Sequence, residues 1–348
     1  MVKRILLGLV GLVLVAVLGV GIFVFAQVRA YEASVAEVWD IPLPDFEAPD
    51  LSAVAGEELP ASLRPPEPTE GEEGAEPEVA DDEVPAADDG ALAELRRLRA
   101  TWERGRHLSM SIGACQGCHG PDLATPEEAL RDMGPIGKLP PPNISIGGLL
   151  AAYSDAELHR MLVHGVKRDG TTLRFMAAQD FAWWPDEDLA ALVGYLRTLP
   201  AVDRPSDPIE VGLLAKILDR MDMMPITIAR RMDHETRDIA PEPAPTAAYG
   251  AYLARLCQGC HGEHLSGGPI PGAPPDLPVP LNITMHETGI AHYDFAAFET
   301  LMRTGKKPDG SDLDPFMPIK DLRNMDDVEM AALWAALQAA PKVAFGGR

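Results

Sequence analysis

The 348 residues include 53 acidic and 30 basic side chains, a formal net charge of −23. That balance excludes a nucleic-acid binder, whose phosphates it would repel, and weighs against docking on anionic lipid. The length suits two domains plus an appendage, while an aromatic content of 6% is thin for a large core and leaves room for a bulky apolar cofactor.

Residues Ile5–Ala26 form 22 uncharged, almost wholly apolar positions, enough to cross a bilayer as a helix. Lys3 and Arg4 precede them, so the positive-inside rule keeps the N-terminus cytoplasmic and sends everything after Arg29 across. A cleaved signal peptide competes, but Val28 and Ala30 make a poor cleavage site and the apolar run exceeds a signal core. A transmembrane anchor over 1–30 is therefore expected, on the inner membrane with the rest of the chain periplasmic.

An acidic, Pro-rich linker is expected over 31–90. Its first half, to about residue 64, reads as an irregular run over a surface. Pro65–Gly90 holds eleven acidic residues, five prolines and no basic residue. Such a stretch buries too little apolar surface to offset its ordering entropy, so it reads as a disordered, self-repelling tether between membrane and globular part. A specific acidic docking segment is the other reading.

From Ala91 to His107 the pattern turns helical, with Leu92, Leu95 and Leu98 on one side. It leads to Cys115-Gln-Gly-Cys118-His119, and the same five residues recur at Cys257-Gln-Gly-Cys260-His261. Cys-x-x-Cys-His is the attachment motif for c-type haem: two thiols form thioethers to the porphyrin vinyls, and the adjacent imidazole binds iron. The motifs use all four cysteines, so no disulfide is available. A zinc site is disfavoured because 138 residues separate the Cys pairs, and a redox Cys-x-x-Cys lacks its βαβ context.

The rest of the chain is an internal repeat, Cys115–Pro200 against Cys257–Pro341. Pro142-Asn143-Ile144-Ser145 answers Leu281-Asn282-Ile283-Thr284, Gly165–Gly170 answers Gly305–Gly310, and Phe175-Met176 answers Phe316-Met317. The sequence implies domains over 91–204 and 246–348 with a connector over 205–245. Within them, Ser154-Asp-Ala-Glu157 is a capping box, with Gly165 ending its helix. Pro185 opens another with Leu189, Leu192, Val193 and Leu196 on one side. Phe295–Met302 and Met330–Leu337 are their counterparts, Val211–Met221 is a short connector helix, and no strand signal appears.

Met176 lies 61 residues after Cys115, and Met317 lies 60 after Cys257. A thioether at the sixth iron position raises the potential and closes the metal to substrate, so these equivalent methionines are the expected axial ligands. Ala177 stands where Pro318 follows Met317, and His164 rivals Met176. Asn143 and Asn282 are candidate hydrogen-bond partners of haem propionates, or turn residues holding their own loops.

Both halves resemble class I cytochrome c domains, and the whole is similar to membrane-anchored di-haem c-type cytochromes of bacteria. The resemblance covers about 105–200 and 246–341. It implies an all-α fold, two tandem haem domains, and Cys115, Cys118, His119 and Met176 at one haem with Cys257, Cys260, His261 and Met317 at the other. The expected role is single-electron transfer through two covalently bound haem c groups, without catalysis. Partners of that class are a quinol-oxidising complex, a soluble cytochrome or cupredoxin, or an oxidase. The alternatives are the cytochrome subunit of a periplasmic dehydrogenase, and a di-haem peroxidase or thiosulfate-oxidising enzyme.

Overall fold

The computed structural model describes residues 2–56, 89–271, 273 and 277–348. The protein is mostly helical. Helix α1 (Val2–Ala36) is long and apolar enough to cross a membrane and bares Leu12, Leu14, Leu18, Ile22 and Phe25 along its length. Ten residues beyond the apolar run, the helix ends against the globular part.

The first repeat holds α2 (Asp89–Met110), α3 (Cys115–His119), α4 (Glu128–Arg131), α5 (Leu149–Ala152), α6 (Asp155–His164) and α7 (Asp186–Arg197). The expected capping box forms: Ser154 Oγ accepts from Glu157 N, and Gly165 closes α6 in the left-handed region at φ 64°. The connector carries α8 (Leu213–Arg220). The second repeat holds α9 (Ala247–His261), α10 (Phe295–Thr304), α11 (Ile319–Leu322) and α12 (Asp327–Ala339). One minimal sheet departs from the helical expectation, β1 (Gly137–Lys138) pairing antiparallel with β2 (Glu210–Val211).

In each repeat the helix leading to the cysteine motif packs on the last helix, α2 on α7 and α9 on α12. Both crossings pass over a glycine. A methyl group at Gly105 would lie 2.1 Å from the Ala191 carbonyl oxygen, and one at Gly250 would lie 1.8 Å from that of Ala332, so a side chain at either would force the helices apart. Leu108, Ile112, Leu189 and Leu192 of the first repeat share one continuous apolar core with Leu253, Met330, Leu333 and Leu337 of the second.

Both connecting segments pack on the first repeat. Residues 37–56 are largely irregular, yet they are built into the first repeat. Leu51 and Val54 are buried, Ala48 N donates to Asp155, and Arg99 donates to the carbonyls of Val54 and Gly56. Residue 56 thus ends against α2, the helix that residue 89 begins. Of the stretch expected to be disordered, Pro65–Gly90, residues 65–88 lie outside the described residues, while Asp89 and Gly90 open α2. The burial of Leu51 and Val54 is invisible to composition, because two buried aliphatic residues outweigh many exposed polar ones.

The connector is likewise bound. Phe175 N donates to the Ile226 carbonyl and Ile228 N to that of Leu173, which laces it to the chain on either side of Arg174. Buried Asp219 accepts from Ile226 N, Thr227 N and the Thr227 hydroxyl and so shapes that edge.

Candidate functional site

Each motif histidine is oriented by a local device that the two repeats share. The turn after the motif places Leu123 at φ 54° and Leu265 at φ 56°. Their carbonyls accept from Ile144 N and Ile283 N, stitching the Asn loop beneath the motif. That brings the Pro142 carbonyl to 2.9 Å from His119 Nδ1 and the Leu281 carbonyl to 2.6 Å from His261 Nδ1. A carbonyl can only accept, so Nδ1 carries the proton and Nε2 is left with its lone pair, the tautomer a metal-binding imidazole needs. Both rings are buried. Burial pushes their pKa values below the ordinary histidine value, with each carbonyl contact pulling weakly the other way, which keeps the imidazoles neutral.

The cysteines are unpaired. Burial pushes the Cys115 thiol up to about 11 and Cys257 up to about 12, and raises Cys118 and Cys260 as well. Redox-active cysteines show the opposite shift. Among the described residues, no cysteine joins a cluster of three His, Cys or carboxylate ligand atoms; the one such group is His107, Asp326 and Glu329. With no cysteine in such a cluster, the paired thiols preceding each motif histidine fit covalent porphyrin attachment better than a zinc site.

Met176 and Met317 are partly buried and pack against the same apolar core as Cys115 and Cys257. Phe175, just before Met176, sits at φ 66°, a conformation costly for a non-glycine residue and often found at ligand clamps. The connector bond from Phe175 N holds it there. His164 is committed elsewhere: its Nδ1 lies 3.2 Å from His234 Nδ1.

Asn143 and Asn282 both hold their own loops, the second of the two readings of these residues. Asn143 Nδ2 donates both hydrogens, to the carbonyls of Val202 and Arg204, while Oδ1 accepts from Ser145 N. Asn282 Nδ2 donates to Thr288 and to the Val343 carbonyl, and Oδ1 accepts from Thr284. With both amide hydrogens spent on the protein, these residues tie the chain beyond the last helix to the loop that orients each histidine.

Sequence reasoning missed how the repeats face each other. The segment after Met317 lies against the first repeat's cysteine motif, and the segment after Met176 acts electrostatically on the second's. A methyl group at Gly117 would lie 3.1 Å from Asp321 Oδ2, with Asp321 four residues past Met317. Asp180, four past Met176, acts electrostatically on Cys260. Around these contacts Lys320 Nζ pairs with Glu127 at 3.0 Å, Asn324 Nδ2 donates to the Met110 carbonyl, and the Arg255 guanidinium lies 4.5 Å over the Trp183 ring. Buried Glu329 meets His107 at 2.8 Å and Arg104 at 3.5 Å. The signal was present in the matching offset of 141 for Asp180 and Asp321, but only the fold shows that the match crosses between repeats.

Burial pushes the Asp180 carboxyl up to about 6. A folded-state value above the unfolded one means the folded protein holds that proton more tightly. The contribution is fully present below the ordinary carboxylate value and is lost as pH rises through about 6. Asp180→Asn is expected to remove that loss and to stabilise the protein at neutral pH by about 2–3 kcal/mol, because each pH unit between the folded and unfolded values corresponds to about 1.4 kcal/mol. Thermal melts of both proteins across this window check it.

No protein-family model matches the chain. Over 92 residues, a quarter of its length, it is 39% identical to one subunit of the nicotinate dehydrogenase of Pseudomonas putida, covering 8% of that protein. Over 93 residues it is 40% identical to the cytochrome c subunit of alcohol dehydrogenase (quinone) from Gluconacetobacter polyoxogenes, covering 20% of it. Over 115 residues it is 31% identical to the fructose dehydrogenase cytochrome subunit of Gluconobacter japonicus, covering 24% of it. The chain thus spans a quarter or less of each relative. Two of these three relatives are named cytochrome subunits of dehydrogenases, and the likeness supports a c-type cytochrome.

Proposed function

We propose that this chain is the cytochrome subunit of a dehydrogenase, held in the inner membrane by α1. In this reading it carries two haem c groups that pass single electrons on the periplasmic side. The observation that carries it is the duplicated imidazole device: each motif histidine is buried, neutral and fixed through Nδ1, with Nε2 free. Haem, when bound, supplies an iron that cycles between Fe(II) and Fe(III). The protein's own work is to hold and orient. Cys115, Cys118, Cys257 and Cys260 would hold the porphyrins, and His119, His261, Met176 and Met317 would bind the irons.

The free-carrier expectation gives way to the subunit reading because the named relatives are subunits of dehydrogenases. The crossed arrangement of motifs and methionine loops supports a relay, since the segment after Met317 meets the first motif and the segment after Met176 acts electrostatically on the second. With two haems bound, such a path would divide the electron's route into shorter steps. The test is purification from membranes under mild detergent. A dehydrogenase subunit co-eluting at constant ratio, and reducing the haems when given its substrate, is the expected result. A chain that elutes alone and is reduced only by soluble carriers would return the free-carrier reading.

A further inference from the structure

The most unusual surface lies where α1 leaves the apolar run. Tyr31 follows Ala26 by five residues, roughly 7.5 Å along a helix. The polar layer on each side of a bilayer is about 5–8 Å deep. Resting on the membrane reading of α1, this puts Tyr31 at headgroup depth. There the helix borders a cleft of about 330 Å³ lined by Tyr31, Glu32, Val35, Arg174, Val211 and Lys216, among others.

The cleft is built, but its polar groups are incompletely used. Tyr31 is 4% exposed, and its hydroxyl is buried without a hydrogen-bond partner, which is costly unless something else supplies one. The Arg174 guanidinium makes no hydrogen bond or ion pair among the described residues, though its charge acts on the Tyr31 hydroxyl. Lys216 Nζ lies 5.5 Å over the Tyr31 ring and 3.4 Å from Glu32. In a chain of net charge −23, this cleft carries two cations against one carboxylate. The overall sign, which weighs against anionic lipid, does not describe this face.

The neighbouring helix points the same way. Lys216 of α8 reaches Glu32, and Arg220, one turn on, reaches Ser34. Helix α8 therefore climbs away from the bilayer along α1, and its first turn lies nearest the membrane. That turn bares Leu213 and Leu214, 55% and 42% exposed, a poor choice in water but suited to the interfacial layer.

We infer that this cleft binds the phosphate of a phospholipid headgroup, with Arg174, Lys216 and the Tyr31 hydroxyl as its polar partners and Leu213 and Leu214 against the acyl chains. The globular part then sits directly on the membrane surface, at a fixed height, instead of swinging on a tether.

The test compares the full-length haem-loaded protein with Arg174→Gln/Lys216→Gln and with the milder Tyr31→Phe. Each is purified from phosphatidylglycerol-containing nanodiscs into mild detergent, and retained lipid is counted by native mass spectrometry. The wild type is expected to keep one phospholipid, the double variant to retain at least tenfold less, and Tyr31→Phe to fall between, with haem content unchanged. Equal retention in all three, or none in the wild type, overturns the assignment. Displacement of the lipid by millimolar inorganic phosphate also overturns it, because the site then takes the free ion. If the double variant does not fold, Tyr31→Phe with full retention overturns it alone. A carbonate wash of membranes separates the premise: release of the chain sinks the membrane reading of α1, whereas a membrane-held chain with unselective lipid sinks only the cleft.

Discussion

Replacing Cys257 and Cys260 together with alanine is expected to halve the covalently bound haem while leaving the first haem's optical spectrum in place. The two thiols end α9, the helix packed on α12 through Gly250, and together with His261 they would be the second repeat's whole covalent and proximal grip. Haem attached to neither thiol depends on the buried His261 and on the apolar pocket alone. Loss of the porphyrin leaves its cavity to collapse, and cavities in cores cost several kcal/mol. The second repeat should therefore melt well below the first in a scan that shows one transition for the wild type. The measurement is haem per polypeptide by absorbance, followed by calorimetry. Unchanged haem content would mean that these cysteines attach nothing.

Met317→Ala carries the second large effect. A thioether favours Fe(II) over Fe(III), and axial ligands command a range of about 0.8 V. Removing one should lower that haem's potential by on the order of a hundred millivolts and let it take up small ligands that the wild type refuses. Met176→Ala should act likewise on the first haem. The first loop, however, is laced by the Phe175–Ile226 bond, so a water or a neighbouring group has less freedom to fill the gap. A potentiometric titration of the two variants distinguishes the haems. A Met317→Ala protein with unaltered potential and no ligand uptake would show that another group closes that iron.

Much of this was legible in the chain. The motifs, the capping box at Ser154 and the short helix of the connector each depend on neighbours within one or two helical turns, and the internal repeat is a match of the chain to itself. Such signals survive in a single sequence. What was not legible depends on distant partners. Leu51 and Val54 sit in an acidic, proline-bearing stretch, and nothing local indicates that they fill the first repeat's core. Asn143 and Asn282 were correctly placed in matching loops, but whether an amide serves a propionate or a backbone carbonyl depends on Val202, Arg204 and Val343, some sixty residues away. The crossed interaction of Asp180 and Asp321 with the opposite motifs needed the relative placement of both repeats. Net charge is an average over the chain and does not show that Arg174 and Lys216 share one cleft with a single carboxylate, Glu32.

The proposed role requires two covalently attached haems per chain, whose irons His119 and His261 would supply with nitrogen and Met176 and Met317 with sulfur. Electron paramagnetic resonance of the purified, oxidised protein, together with its intact mass, reads both at once. The expected result is a mass increased by two porphyrins and two low-spin ferric signals of the histidine–methionine type. A colourless polypeptide of unmodified mass would contradict the haem assignment outright, and a high-spin signal from either iron would contradict the closed, electron-carrying site.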